Sequence, residues 1–74
     1  MSEIGKIARY HRKISGLSRV DCARLAGIGK TAIYDIEHGK DTVQFKTIYK
    51  LFAVLNIRFD LQSPLMKNYR NEKS

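Results

Sequence analysis

The chain has 74 residues and a mass of 8.5 kDa, with 43% hydrophobic and 28% charged residues. A chain of this length buries only about 60% of the surface its unfolded form exposes, which excludes a deep catalytic cleft between two lobes. Fourteen Lys and Arg oppose seven Asp and Glu, and the resulting +7 charge suits a polyanionic partner or, more simply, a solvated basic surface.

Four helical segments are expected, each closed by glycine or asparagine. The first runs from about Glu3 to Ser15: Ile4, Ile7, Ala8, His11 and Ile14 recur at three- and four-residue intervals and share a face. Ser2 is a candidate cap at its start and Gly16 a left-handed stop at its end. The second helix, Arg19 to Ala26, has Ser18 as N-cap, with Asp21 completing an acidic capping box, and ends at Gly27. The third runs from Lys30 to His38, with Gly29 ahead of it and Gly39 after it. The fourth runs from Phe45 to Leu55, where Ile48, Leu51, Phe52 and Leu55 make an i, i+3, i+4, i+7 stripe before Asn56.

The period then changes. Ile57, Phe59 and Leu61 alternate with Arg58, Asp60 and Gln62, the mark of a half-buried strand over residues 57–62, and Pro64 stops it. Residues 1–63 therefore read as one domain and 64–74 as a polar, flexible tail.

The second and third helices are short and joined by Gly27-Ile28-Gly29, with small Ala23 where they must cross closely. That is the layout of a helix-turn-helix, whose second helix enters a groove about 12 Å wide while the first braces it and points its N-terminus at a phosphate. Ile4-Gly5, Arg9 and Arg12, Gly16-Leu17-Ser18, Ala26-Gly27-Ile28, Ile33 and Ile36-Glu37-His38-Gly39-Lys40 together resemble the Xre/Cro family of DNA-binding domains, over residues 4 to about 62. The resemblance implies an all-α, four-helix, lambda-repressor-like domain with one short C-terminal strand that pairs in a dimer ribbon. The ending, Thr42 to Phe45 and Asn56 to Leu61, is similar to HipB-type antitoxins, which pair with HipA-type kinase toxins. Three departures stand out: Arg19 replaces the usual Gln, Cys22 the usual Leu, and Gly29 the usual Ser or bulkier polar residue.

Carried onto this chain, the resemblance implies base contacts from Gly29, Lys30, Thr31, Tyr34 and Asp35, and phosphate contacts from Arg19, Lys40 and Lys46. Lys30 can donate to guanine O6 and N7, and the Thr31 methyl can touch a thymine methyl. Asp35 can accept from a cytosine amino group or hold a neighbouring lysine, with the second role preferred. The resemblance also implies a partly buried ion pair between Arg12 and Glu37, and Ile57, Phe59 and Leu61 are the expected dimer contact. The implied function is a dimeric transcriptional repressor on an inverted-repeat DNA operator, with a kinase toxin as possible second partner. A stand-alone phage-type or restriction-modification controller, and an interaction adaptor that has lost DNA binding, are the alternatives. Val20 and Leu25 either mark a partner surface or extend the core.

A single cysteine, Cys22, excludes an internal disulfide, and its place on the inner face of the second helix suits a small buried hydrophobe better than a redox switch. His11 and His38 lack zinc-ligand spacing, so no metal or cofactor is expected. Paired carboxylates, a Ser/His/Asp set and a glycine-rich phosphate loop are all missing from the sequence, and no enzymatic activity is expected. No apolar run reaches the roughly 20 residues of a membrane span and Met1 to Lys6 has no signal-peptide core, which leads to an expected cytoplasmic location with no membrane partner.

Overall fold

The structure, a computed structural model, describes residues 2–60 together with Ser63 and Leu65. Four helices follow in order: α1 (Ser2–Ile14), α2 (Arg19–Ala26), α3 (Lys30–Glu37) and α4 (Phe45–Val54). The boundaries lie within one residue of those expected. Ser2 falls inside the first turn of α1 rather than ahead of it, and His38 and Leu55 cap α3 and α4 instead of belonging to them.

The stops are local chemistry. After α1 the amides of Gly16 and Leu17 donate back to the carbonyls of Lys13 and Arg12, both at 3.1 Å, which satisfies acceptors that the helix end leaves open. Asn56 does the same after α4: its φ is 60°, its amide reaches the Ala53 carbonyl, and the next amide, of Ile57, reaches that of Phe52 at 2.8 Å. The start of α2 is closed by the capping box, with the Asp21 amide donating to Ser18 Oγ at 3.0 Å and the Ser18 amide donating to Asp21 Oδ2 at 3.1 Å. α3 has no such device, because Gly29 brings no side chain to its N-cap.

Ala8, Cys22, Ile33, Ile36, Ile48, Leu51, Phe52 and Leu55 form the core, with Ile4, Ile7, Leu17, Ala23, Ile28 and Val43 packed around it. Every helix contributes, α1 and α2 both lying on α3, and α2 also on α4. Cys22 is fully buried, and burial pushes its thiol up, the reverse of what a reactive thiolate needs. Gly5 sets the closest approach. A Cβ built there would stand 2.5 Å from the Ile36 carbonyl oxygen and 2.7 Å from that of Glu37, so only glycine lets α1 seat against the end of α3.

Beyond Asn56, residues 57–60 form neither helix nor strand, and no strand ladder is present among the described residues. The alternation is nonetheless present: Ile57 and Phe59 are half-buried against the core, and Arg58 and Asp60 are exposed. Leu61 and Gln62 of the expected strand, and the expected tail apart from Leu65, lie outside the described residues. Phe59 stacks on Phe52 (centroids 4.8 Å apart, planes at 11°) and lies beside Phe45 and Tyr49, a four-ring cluster.

Candidate nucleic-acid interface

α3 is buried along Ile33, Ile36 and Glu37, and this fixes what it shows to solvent. A helix that buries those three positions turns Lys30, Thr31 and Tyr34 outward, and all three are exposed, as is Gly29 at the tip. Asp35 is half-buried and its Oδ2 lies 3.7 Å from Lys40 Nζ, so the structure brings these two expected contacts together as a charge pair. Lys46, in the first turn of α4, is exposed.

One carboxylate holds this frame. Arg12 Nε donates to Glu37 Oε2 at 2.6 Å and Arg12 Nη2 to Oε1 at 3.2 Å, a two-pronged bond between α1 and the end of α3. Arg12 Nη1 donates to the Leu17 carbonyl at 3.0 Å, which ties the turn before α2 to the same guanidinium. Arg19 Nε joins from α2, 3.2 Å from Glu37 Oε1. Burial pushes the Glu37 carboxyl up, but Arg12 and Arg19 together outweigh it and hold the group below the usual carboxylate range. Arg12, bonded to that carboxylate, is raised in turn.

Arg19 has two further consequences for the surface. Its side chain is 32% exposed, and its guanidinium carbon sits 5.4 Å from the centre of the Tyr34 ring, within cation–π range. Tyr34 in turn stacks on His38, with centroids 3.8 Å apart and planes at 20°, and His38 Nδ1 lies 2.8 Å from the Tyr34 carbonyl oxygen. The ring is thereby set in place before any ligand arrives. The sequence carried no sign of this, beyond the arginine standing where glutamine is usual.

An open groove of about 610 Å³ runs between the N-terminal ends of α2 and α3. Ser18, Arg19 and Val20 line one side, Lys30, Thr31 and Tyr34 the other, and Arg12 closes its floor. Ser18 is already engaged with Asp21, whose carboxyl is held below its usual range by those bonds. Val20, for which a partner surface and the core were both open, lines this groove. It is 53% exposed, and Leu25 58%, so neither extends the core. Ile57 and Phe59, expected at a dimer contact, stand away from this groove on the aromatic side of α4.

The groove carries three cations, Arg12, Arg19 and Lys30, and no carboxylate among the residues that line it. Among the described residues no three His, Cys, Asp or Glu side chains gather as metal ligands, and no helix is long and apolar enough to cross a membrane.

Residues 9–62 match the family model described as helix-turn-helix. Over 63 residues the chain is 32% identical to the uncharacterized HTH-type transcriptional regulator y4mF of Sinorhizobium fredii, which covers 85% of this chain and 83% of that one.

Proposed function

The chain belongs to the Xre-type helix-turn-helix family, and from that premise we propose that it is a sequence-specific DNA-binding regulator of transcription. The observation that carries this reading is α3 itself: Lys30, Thr31 and Tyr34 are exposed on a helix whose other face is bolted down through Glu37. Lys30 and Thr31 have the chemistry to read base edges in the major groove, and Arg19, Lys40 and Lys46 to meet phosphates. Gly29 lets the backbone approach closely at the tip, and Asp35 acts by holding Lys40. The function is binding, carried out in the cytoplasm, with no catalytic step. Selection of duplexes from a random pool tests it, and a protein with no preference for any duplex would overturn it.

The finer reading is a homodimeric repressor on an inverted repeat. Phe45 and Tyr49 are 60% and 58% exposed beside Phe59, an apolar surface that a second chain can cover. Residues 57–60 follow shortly after α4, with Phe59 in the same cluster. A second copy of the same segment, paired antiparallel about a two-fold axis, covers both and sets two recognition helices about one DNA turn apart, roughly 34 Å. The alternation of apolar and polar residues after α4 also suits a HipB-like antitoxin with a HipA-type kinase toxin as second partner. The neighbouring open reading frame tests that last part: a kinase-like chain supports it, and its absence favours the stand-alone controller.

A further inference from the structure

Val20 is the second residue of α2, on the side of the molecule that the proposed function turns toward DNA, and it is half exposed. It faces a groove it shares with Thr31 and Tyr34, between the cations Arg19 and Lys30. A valine side chain there gains only when something apolar covers it.

We propose that the Val20–Thr31–Tyr34 end of this groove seats the C5-methyl group of a pyrimidine on the major-groove edge of the bound duplex. The inference rests on the DNA-binding function proposed above and names the feature that this part of the surface reads. Three observations carry it. The flanking Arg19 and Lys30 are complementary to phosphate on either side, so a polyanion is the occupant that the charge selects. Among the groups that base edges present in the major groove, the C5-methyl is the apolar one, and it matches the methyls of Val20 and Thr31. The valine offers neither donor nor acceptor, and of the groups beside it Ser18 is engaged by Asp21 and Arg12 by Glu37 and Leu17, while the Tyr34 ring is set by Arg19 and His38. What Val20 itself brings to the groove is shape and apolar contact.

Thymine and 5-methylcytosine both carry this methyl, and the test separates them. The full chain is titrated with the duplex selected from a random pool, then with versions in which each thymine is replaced in turn by deoxyuridine. One position per half-site is expected to lose about three- to fivefold, the effect of burying one methyl group. At that position Val20→Ala brings the thymine-to-deoxyuridine ratio toward one, and Thr31→Ser lowers it further while keeping the hydroxyl. Placing cytosine and 5-methylcytosine there fixes the source. If 5-methylcytosine recovers affinity over cytosine, the methyl alone is read. If it does not, the deoxyuridine effect stands and thymine is read as a whole. A preferred duplex whose deoxyuridine versions all bind as tightly as the parent would overturn the groove assignment alone. So would a Val20→Ala variant that keeps the wild-type ratio. A protein that prefers no duplex would overturn the DNA-binding function and this inference together.

Discussion

Arg12 and Glu37 are 25 residues apart in the chain and joined by two N–H···O bonds, the shorter 2.6 Å, with the carboxylate side chain fully buried. Stranding one partner of such a pair costs roughly 3–5 kcal/mol, a large share of the ~5–15 kcal/mol that holds a domain together. Arg12→Met and Glu37→Gln should each lower the melting temperature by well over ten degrees, read by circular dichroism. Arg19→Ala should cost much less, about 1 kcal/mol or below, because its side chain is a third exposed and gives the charge back to water. A melting point within a few degrees of wild type for Arg12→Met would show that the pair carries little of the fold.

The same carboxylate sets an acid limit. Glu37 is more acidic in the folded protein than its ordinary value of 4.5, so above that value its contribution is fully present. As pH falls below it the unfolded chain takes up the proton first, and stability is lost until the folded carboxyl titrates as well. Asp21, also lowered, contributes with the same sign. Urea midpoints measured from about pH 6 downward should therefore fall, and Glu37→Gln should flatten the decline more than Asp21→Asn.

Gly5→Ala should destabilise although alanine is the better helix former by about 1 kcal/mol. The added methyl meets backbone carbonyls at 2.5 and 2.7 Å, which no rotamer change can relieve, so α1 must lift from α3. Overpacking of this kind costs typically ~1–3 kcal/mol. Gly29→Ser is the control: nothing lies within 4 Å of its Cβ, and a side-chain cap for α3 should leave stability unchanged or slightly raised. Equal urea midpoints for Gly5→Ala and wild type would mean that the helices are not in contact there.

On DNA, Lys30→Ala and Thr31→Ala should lower the preference for the selected duplex over random duplex, Lys30→Ala by roughly tenfold. Lys46→Ala should weaken both duplexes about equally and reduce the salt slope by about 0.9. Arg19→Ala should weaken both as well. It should also disturb Tyr34, whose ring Arg19 helps to set, and lose some specificity that Lys46→Ala keeps. Binding measured against salt on both duplexes separates the two classes.

The dimer is tested by sedimentation at micromolar concentration. Wild type should run as a dimer and Phe59→Asp as a monomer, with operator binding falling far more than one side chain explains. Phe59 also stacks on Phe52 within its own chain, so Tyr49→Glu, on an exposed position of the same cluster, is the cleaner variant. A monomeric wild type, or a Tyr49→Glu dimer as tight as wild type, would refute the paired ribbon.

The helices were legible in the sequence because their signals are local. Ser18 and Asp21 are three residues apart, and Gly16, Gly27, Gly39 and Asn56 take the left-handed turn within two residues of the last helical residue, so each boundary is decided by neighbours in the chain. The apolar period likewise determined which faces of α3 and α4 turn inward, and of α1 through Ile4, Ile7 and Ala8, whereas Ile14, expected on the same face, is 71% exposed at the helix end. Distance through space was decided only by the packing of those helices. Nothing in the order of residues marks Arg19 as a second partner of Glu37, or Tyr34 as a ring held by Arg19 and His38, because these contacts depend on where α2 crosses α3. Val20 reads in the sequence as an apolar residue on a helix, with two possible uses. The structure leaves it in the groove and in water, because α2 is seated with Cys22 fully buried, and a residue two positions before it lies about 200° round the helix, on the outward face. The strand expected at 57–62 marks the opposite limit. Its alternation is written in the chain, but a ladder needs a second segment to accept its hydrogen bonds, and the described residues hold no such segment.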